Sequence, residues 1–201
     1  MPVQLTSPTE LVAAARRVVE KDGIEGLTLR AIAREAGVSH GAPLRHFPGV
    51  ATLLAALAAD GFAQLYESVD AGVAEVGHAD GRRRLAGGGR GYVRFALAHP
   101  GVFSVMFRGE LIDSTYAPLA AHGSRAFSQL VELVVGAQAE GWAEGEEPRH
   151  AAVVVWALVH GIATLWIHGG VQSVAGELHL EELGRITDAL LLQTDLRRTT
   201  T

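Results

Sequence analysis

The sequence predicts an all-α protein, with an N-terminal three-helix bundle carrying a helix-turn-helix and a C-terminal helical bundle. Three observations lead there. Apolar residues recur at spacings of three and four in one segment after another along the 201 residues, the period of helices with one buried face. Capping residues open these segments, and Gly or Pro closes them. The stretch Leu27 to Phe47, LTLRAIAREAGVSHGAPLRHF, reads as two short helices joined by a sharp turn. With 48% apolar residues and 6% aromatic, the chain can bury a large and mainly aliphatic core. The expected division is residues 1–48 as the helix-turn-helix domain, 49–196 as a second and larger helical domain, and 197–201 as a tail.

Ser7-Pro8-Thr9-Glu10 is a capping box with Pro at the first helical position. Leu11, Ala15, Val18 and Val19 come next on one face, and Gly23 closes the helix. Thr28 is the N-cap of a second helix with apolar positions Leu29, Ile32, Ala33 and Ala36. Gly37-Val38-Ser39 then supplies a residue tolerant of positive φ, an apolar plug and a hydroxyl to cap the next helix. That third helix is expected from about His40 to His46, with its first turn exposed. Pro43 is its fourth residue, so it deletes the first intrahelical hydrogen bond and crowds the Ser39 carbonyl. Mid-helix this costs about 3 kcal/mol; near the N-terminus the turn opens instead, and a loosened helix is expected. Ile24, Leu27, Leu29, Ile32 and Phe47 complete the small core. Forty-odd residues make a marginal core, so this domain should lean on later parts of the chain.

The segment resembles the DNA-binding domain of the TetR family of transcriptional regulators, whose usual run is T-x-R-x-hydrophobic-A-x-x-A-G-V-S-x-x-x-L-Y-x-H-F. Thr28, Arg30, Ile32, Ala33, Ala36, Gly37, Val38, Ser39, His46 and Phe47 fall in register. Pro43 stands in place of the usual Leu or Ile. Leu44 replaces a Tyr, and Val50 a Lys, that reach DNA phosphates in the family. The resemblance implies that His40, Gly41 and Ala42 meet base edges, that Thr28, Ser39, Arg45 and His46 hold phosphates, and that Arg30 and Leu44 complete the DNA-facing set.

After Phe47-Pro48-Gly49 a long helix carries Leu53, Leu54, Leu57, Phe62, Leu65, Tyr66, Val69 and Val73, ending near Gly77. In the TetR-like reading it joins the ligand site to the DNA reader. Asp80 opens another helix that runs to His99-Pro100 and contains Gly87, Gly88, Gly89 and Gly91. Each interior Gly costs about 0.5–1 kcal/mol relative to Ala, so the four mark either a close helix crossing or a bend. GGGRGY lacks the Lys-Ser/Thr pair of a phosphate-binding loop and succeeds no strand. A short apolar helix begins after the break at Pro100, with Phe103, Met106 and Phe107 close together. The next runs from near Leu119 to Gly141, with Phe127, Leu130, Val134 and Val135 inward.

Ala151 to Ile167 is the most apolar segment. Interrupted by His160, Gly161 and Thr164 and lacking a basic flank, it reads as a buried helix rather than a membrane span. Trp156, His160 and Thr164 share one stripe, continued by His168. The run W-A-L-V-H-G resembles a Trp-x-x-x-His-Gly signature of a TetR subgroup, as does S-H-G-A-P. Leu178, Leu180, Leu183, Ile186, Leu190 and Leu191 form a last amphipathic helix. With the Ala151 to Ile167 helix it offers more apolar surface than one domain needs, and TetR-like proteins dimerise by pairing two such helices with those of a second copy.

The net charge of −5 is divided unevenly. Residues 1–48 hold six Lys or Arg against five Asp or Glu, and the acidic excess lies beyond them. The absence of Cys excludes disulfides and thiolate metal sites. Together with the lack of an export signal at Met1 to Glu10, it leads us to expect a cytoplasmic location. No H-E-x-x-H or G-x-S-x-G run occurs, and eight helical residues separate His160 from His168, about 12 Å along the axis, too far to share an ion. No catalytic residue, metal ligand or cofactor is therefore expected, and the chain is not read as an enzyme. The expected protein is a homodimeric regulator of a pseudo-palindromic DNA operator, a repressor released by a small apolar effector of unidentified structure, with no membrane partner. The effector is expected among Phe95, His99, Phe103, Met106, Phe107, Phe127, Trp156 and His160. The alternative is a ligand-binding or protein-interaction module with weakened DNA binding.

Overall fold

The computed structural model describes residues 7–78, 80–176 and 179–193, and among these every regular element is a helix. The helices are α1 (Pro8–Asp22), α2 (Leu29–Glu35), α3 (Val50–Glu75), α4 (Gly81–Ala98), α5 (Pro100–Met106), α6 (Ala117–Gln138), α7 (Pro148–Ile167), α8 (Gly170–Ala175) and α9 (Leu180–Gln193). They form two compact units. Unit 1 holds residues up to Ala63 with His99–Ser124, and unit 2 holds Gln64–Ala98 with residues from Arg125 onward. The cut differs from the expected one at residue 48, because α5 and the first parts of α3 and α6 belong with the small bundle. Leu178, the side chain of Leu180 and the tail 197–201 lie outside the described residues.

In unit 1 the capping box forms as the sequence requires. Glu10 N–H donates to Ser7 Oγ at 3.2 Å, and Ser7 N–H to Glu10 Oε2 at 2.7 Å. Leu11, Ala15, Val18 and Val19 are buried. Leu27, Ile32 and Phe47 join them, while Ile24 and Leu29 are half-buried. The bundle does lean on a later segment. Glu20 of α1 accepts from the first amides of α5, Gly101 N–H at 3.0 Å and Val102 N–H at 3.2 Å, satisfying donors that a helix start leaves open. A Cβ on Gly101 would lie 2.7 Å from the Val19 carbonyl oxygen, so only Gly permits this approach. The loop after α5 ties down the start of α3: Asp113 N–H donates to Ala51 O at 3.1 Å and Thr52 Oγ1 donates to the Asp113 carboxylate at 3.0 Å. Thr115 and then Thr52 hydrogen bonds hold that carboxyl below its usual range.

In unit 2 the glycines of α4 mark a close crossing and not a bend, for α4 runs unbroken from Gly81 to Ala98. A Cβ on Gly91 would lie 2.2 Å from Ser68 O of α3, and one on Gly87 2.5 Å from Gly72 O. Ser68 Oγ donates to Gly91 O at 2.8 Å across the same contact. On its other side α4 meets α9, where Arg90 pairs with Asp188 and the buried Thr187 hydroxyl donates to Leu183 O at 2.8 Å.

Three expectations are corrected. Val135 is exposed, because α6 turns Val134 and Ala137 inward instead. The apolar helix α7 is buried along one stripe only, Ala151, Ala152, Val155, Val159 and Ala163, and leaves Val153, Val154, Trp156 and Leu165 open. By length and composition it is long and apolar enough to cross a membrane. The expected helix from His40 to His46 is instead a turn succeeded by one 3-10 turn, Pro43–Arg45.

Gly91→Ala is expected to lower stability by about 1–3 kcal/mol through overpacking, although Ala favours helix. Gly136→Ala in α6, where a Cβ would meet nothing within 4 Å, is expected to raise it by about 0.5–1 kcal/mol. Urea unfolding of both variants checks the pair, and a Gly91→Ala midpoint at or above wild type would contradict the crossing.

Candidate functional site

The exposed segment Ser39–His46 is held from both ends by local chemistry. Thr28 Oγ1 accepts from Ala31 N–H at 3.1 Å and starts α2. Its end is a Schellman motif: Val38 N–H reaches Ala33 O at 2.9 Å and Gly37 N–H reaches Arg34 O at 3.1 Å, with Gly37 at φ +70°. Ile32 and Ala33 anchor the helix inward. Beyond Gly37 the backbone closes tight turns: Ala42 N–H to Ser39 O at 2.9 Å, Arg45 N–H to Ala42 O at 3.2 Å, His46 N–H to Pro43 O at 3.1 Å. Pro43 is the physical reason. It cannot donate back to Ser39, so the segment takes bonds three residues apart. The 3-10 turn has Ala42, not Ser39, as its N-cap, and no side-chain cap bond.

Thr28, Arg30, Ser39, His40, Gly41, Leu44, Arg45 and His46 all stand exposed in unit 1. Ala42 does not. It is 6% exposed and packs with Pro43 into the bundle, which removes its methyl from any base edge; the tight turn that Pro43 imposes rotates residue 42 inward. Charge is sorted as well. Arg16 is paired with Asp60 and Arg17 with Glu35, each at 2.6 Å. Arg30, Arg34 and Arg45 are exposed and make no ion pair among the described residues. Unit 1 thus keeps three exposed, unneutralised guanidinium groups although the net charge of the chain is −5. Arg34, which was not in the expected set, stands one helical turn after Arg30.

The residues expected to hold an effector fall into two groups. In unit 1, Phe103 and Phe107 meet edge to face at 5.2 Å, and Phe62 meets Phe107 at 5.6 Å. Met106 is buried beside Gly61, where a Cβ would lie 2.7 Å from the sulfur. His99 is the half-buried N-cap of α5. In unit 2, Phe127 lies edge to face with Trp156 at 6.3 Å under the Arg149 guanidinium, and Trp156 with His160 at 6.2 Å. Phe95 is buried on α4, one turn after Tyr92.

Tyr92, absent from the expected set, links the second group. Trp156 Nε1 donates to its hydroxyl at 3.2 Å, and the hydroxyl lies 2.9 Å from His160 Nδ1. The indole can only donate, so the hydroxyl accepts from Trp156, and the direction of its bond with Nδ1 is set by the His160 tautomer. Burial pushes the Tyr92 phenol up and the His160 imidazole down, so both are held neutral. A hydroxyl on an otherwise apolar helix face was the signal. Unit 2 also has two open clefts lined by other residues. One of about 400 Å³ has Asp70, Glu132 and Glu140 on its wall, and one of about 440 Å³ has Val93, Leu97 and Leu183. Among the described residues no group of three or more His, Asp or Glu is placed to hold a metal ion.

Comparison with known proteins places both parts of the chain. Residues 11–57 match the family described as bacterial regulatory proteins, tetR family, and residues 85–187 match the tetracyclin repressor-like, C-terminal domain. An uncharacterised HTH-type transcriptional regulator of Bacillus subtilis (strain 168), YobS, is 26% identical over 159 residues, 77% of this chain and 76% of that protein. A protein of unknown function from Rhodococcus sp. RHA1 is 34% identical with a TM-score of 0.78, over 96% of this chain and 97% of that one. The Bacillus subtilis regulator FadR, solved in complex with stearoyl-CoA, shares the fold with a TM-score of 0.71 at 18% identity, over 92% of this chain and 97% of that one.

His160 gives a pH prediction with a definite sign. Its folded value lies below the ordinary 6.5, so as pH falls through 6.5 the unfolded chain takes up a proton that the folded chain refuses, and stability drops. Above that pH the contribution is fully present. Thermal melts of wild type and His160→Asn between neutral and mildly acidic pH should differ by this slope; parallel curves would contradict the assignment. Tyr92→Phe should cost about 1–3 kcal/mol at neutral pH.

Proposed function

The chain belongs to the TetR family of transcriptional regulators, and from that premise we propose that it is a homodimeric repressor that leaves its operator when a small apolar effector binds. The observation that carries the reading is the Ser39–His46 turn, exposed save for Ala42 and Pro43, in a unit where Arg30, Arg34 and Arg45 are exposed and make no ion pair among the described residues. His40 and Gly41 face base edges, while Thr28, Arg30, Ser39, Arg45 and His46 hold phosphates. Two copies set about 34–36 Å apart match successive major grooves of a pseudo-palindrome. The second copy is a copy of this chain. Val153 and Leu165 on α7 are 50% and 56% exposed, and pairing α7 and α9 with their counterparts covers that stripe in a four-helix bundle. We place the protein in the cytoplasm, with its operator.

The effector is small and apolar, and each aromatic group taken by itself offers contacts for it: Phe103, Met106 and Phe107 with His99, and Phe127, Trp156 and His160 with Phe95. Release requires that the effector bind the conformer unsuited to DNA more tightly; a switch from 1:99 to 99:1 needs a preference of about 5.5 kcal/mol. We assign no turnover and no cofactor to the chain. One observation favours a second reading, a ligand-binding or protein-interaction module with weakened DNA binding. The recognition segment is a single 3-10 turn with an apolar Leu44 at its centre.

Fluorescence anisotropy with the chain's own upstream DNA, at two salt concentrations, separates the readings. Binding that weakens with salt supports the regulator, and Arg45→Ala should weaken it and reduce the log–log salt slope by about 1 per subunit. No binding at low salt favours the module. In analytical ultracentrifugation, Val153→Asp with Leu165→Glu should convert a dimer to a monomer, whereas a monomeric wild type would sink the pairing.

A further inference from the structure

We infer that Leu44 reads the 5-methyl group of a thymine in the major groove, so that this chain makes a base contact where a phosphate contact is usual; the inference rests on the DNA-reading proposal above. Leu44 is 55% exposed, and within the described part of unit 1 only Val50 among the other large apolar side chains is also exposed. An isolated exposed leucine is ordinary on a protein surface. What distinguishes this one is its setting.

Ala42 and Pro43 are turned into the bundle, and the 3-10 turn sends residue 44 the other way. Gly41 precedes the N-cap of that turn and is exposed, and a Cβ there would meet nothing within 4 Å. Within Ser39–His46 the exposed residues are Ser39, His40, Gly41, Leu44, Arg45 and His46, so Leu44 is the one large apolar side chain in an exposed and otherwise polar stretch. A duplex presents few partners for such a side chain. Phosphate and sugar oxygens reward donors, and leucine has none. The minor-groove edges carry no methyl group. The major-groove edge of thymine does, and apolar side chains select it there. Replacing a phosphate-reaching tyrosine by leucine thus moves the contact from positioning the protein to specifying sequence.

The test uses the full chain and a pool of short random duplexes. After selection at low salt, each thymidine of the enriched duplex is replaced in turn by deoxyuridine, which removes only the methyl group. Affinities are measured for wild type, Leu44→Ala and Leu44→Met. One thymine per half-site should weaken wild-type binding about fourfold when replaced, the worth of one buried methyl. Leu44→Met should retain that sensitivity and Leu44→Ala should lose it, with melting temperatures unchanged because the side chain is exposed. If the three proteins respond alike at every thymine, the assignment to Leu44 is overturned while DNA reading stands. If no duplex is enriched, the DNA-reading proposal fails and takes this inference with it.

Discussion

The small bundle at the N-terminus depends on the contact between α1 and α5. Some forty residues cannot bury enough apolar surface to hold a fixed shape, and here the deficit is met by a segment from far along the chain. Gly101 lets the α5 backbone lie against the Val19 carbonyl, and Glu20 closes the contact by accepting from two amides that would otherwise lack partners. The same segment continues to Asp113, which ties the start of α3. The aromatic side chains Phe103 and Phe107 ride on this α5 segment, so one compact unit contains both a candidate effector contact and the exposed turn.

Charge in that unit is distributed by pairing rather than by number. Arg16 and Arg17 are neutralised by Asp60 and Glu35 and serve the fold. Arg30, Arg34 and Arg45 have no such partners among the described residues and serve the surface. A protein with a net charge of −5 can in this way present local positive potential to a polyanion, since screening confines what matters to roughly 8–10 Å. In unit 2 the governing constraint is steric. Gly87 and Gly91 bring the α4 backbone against α3, and the opposite side of α4 carries the ion pair to Asp188 on α9. The Tyr92 hydroxyl joins α4 to Trp156 and His160 on α7, with both titratable partners neutral.

Much of the fold and part of the candidate site were legible in the sequence, wherever the deciding chemistry is local. Ser7 and Glu10, Thr28 and Gly37 act on backbone within a few residues, so their caps and turns could be read directly. The inward residues of α1 came from helical period. The clustering of Phe103 with Phe107 came from their separation by one turn. The proline at position 43 was read correctly as a disturbance, but its extent was not: an α-helix loosened at one end was expected, and a single 3-10 turn with Ala42 buried was found.

What the sequence by itself determined is the order of the longer helices, the caps at Ser7, Thr28 and Gly37 and the family of the chain, because these rest on residues that act on near neighbours or recur in register. What only the tertiary structure decided is which arginines are neutralised, which side of α7 stays bare, why α4 tolerates its glycines, and that Tyr92 bridges Trp156 and His160. Each of those depends on a partner 15 to 68 residues away along the chain or on the absence of one, and no local pattern encodes such a distance.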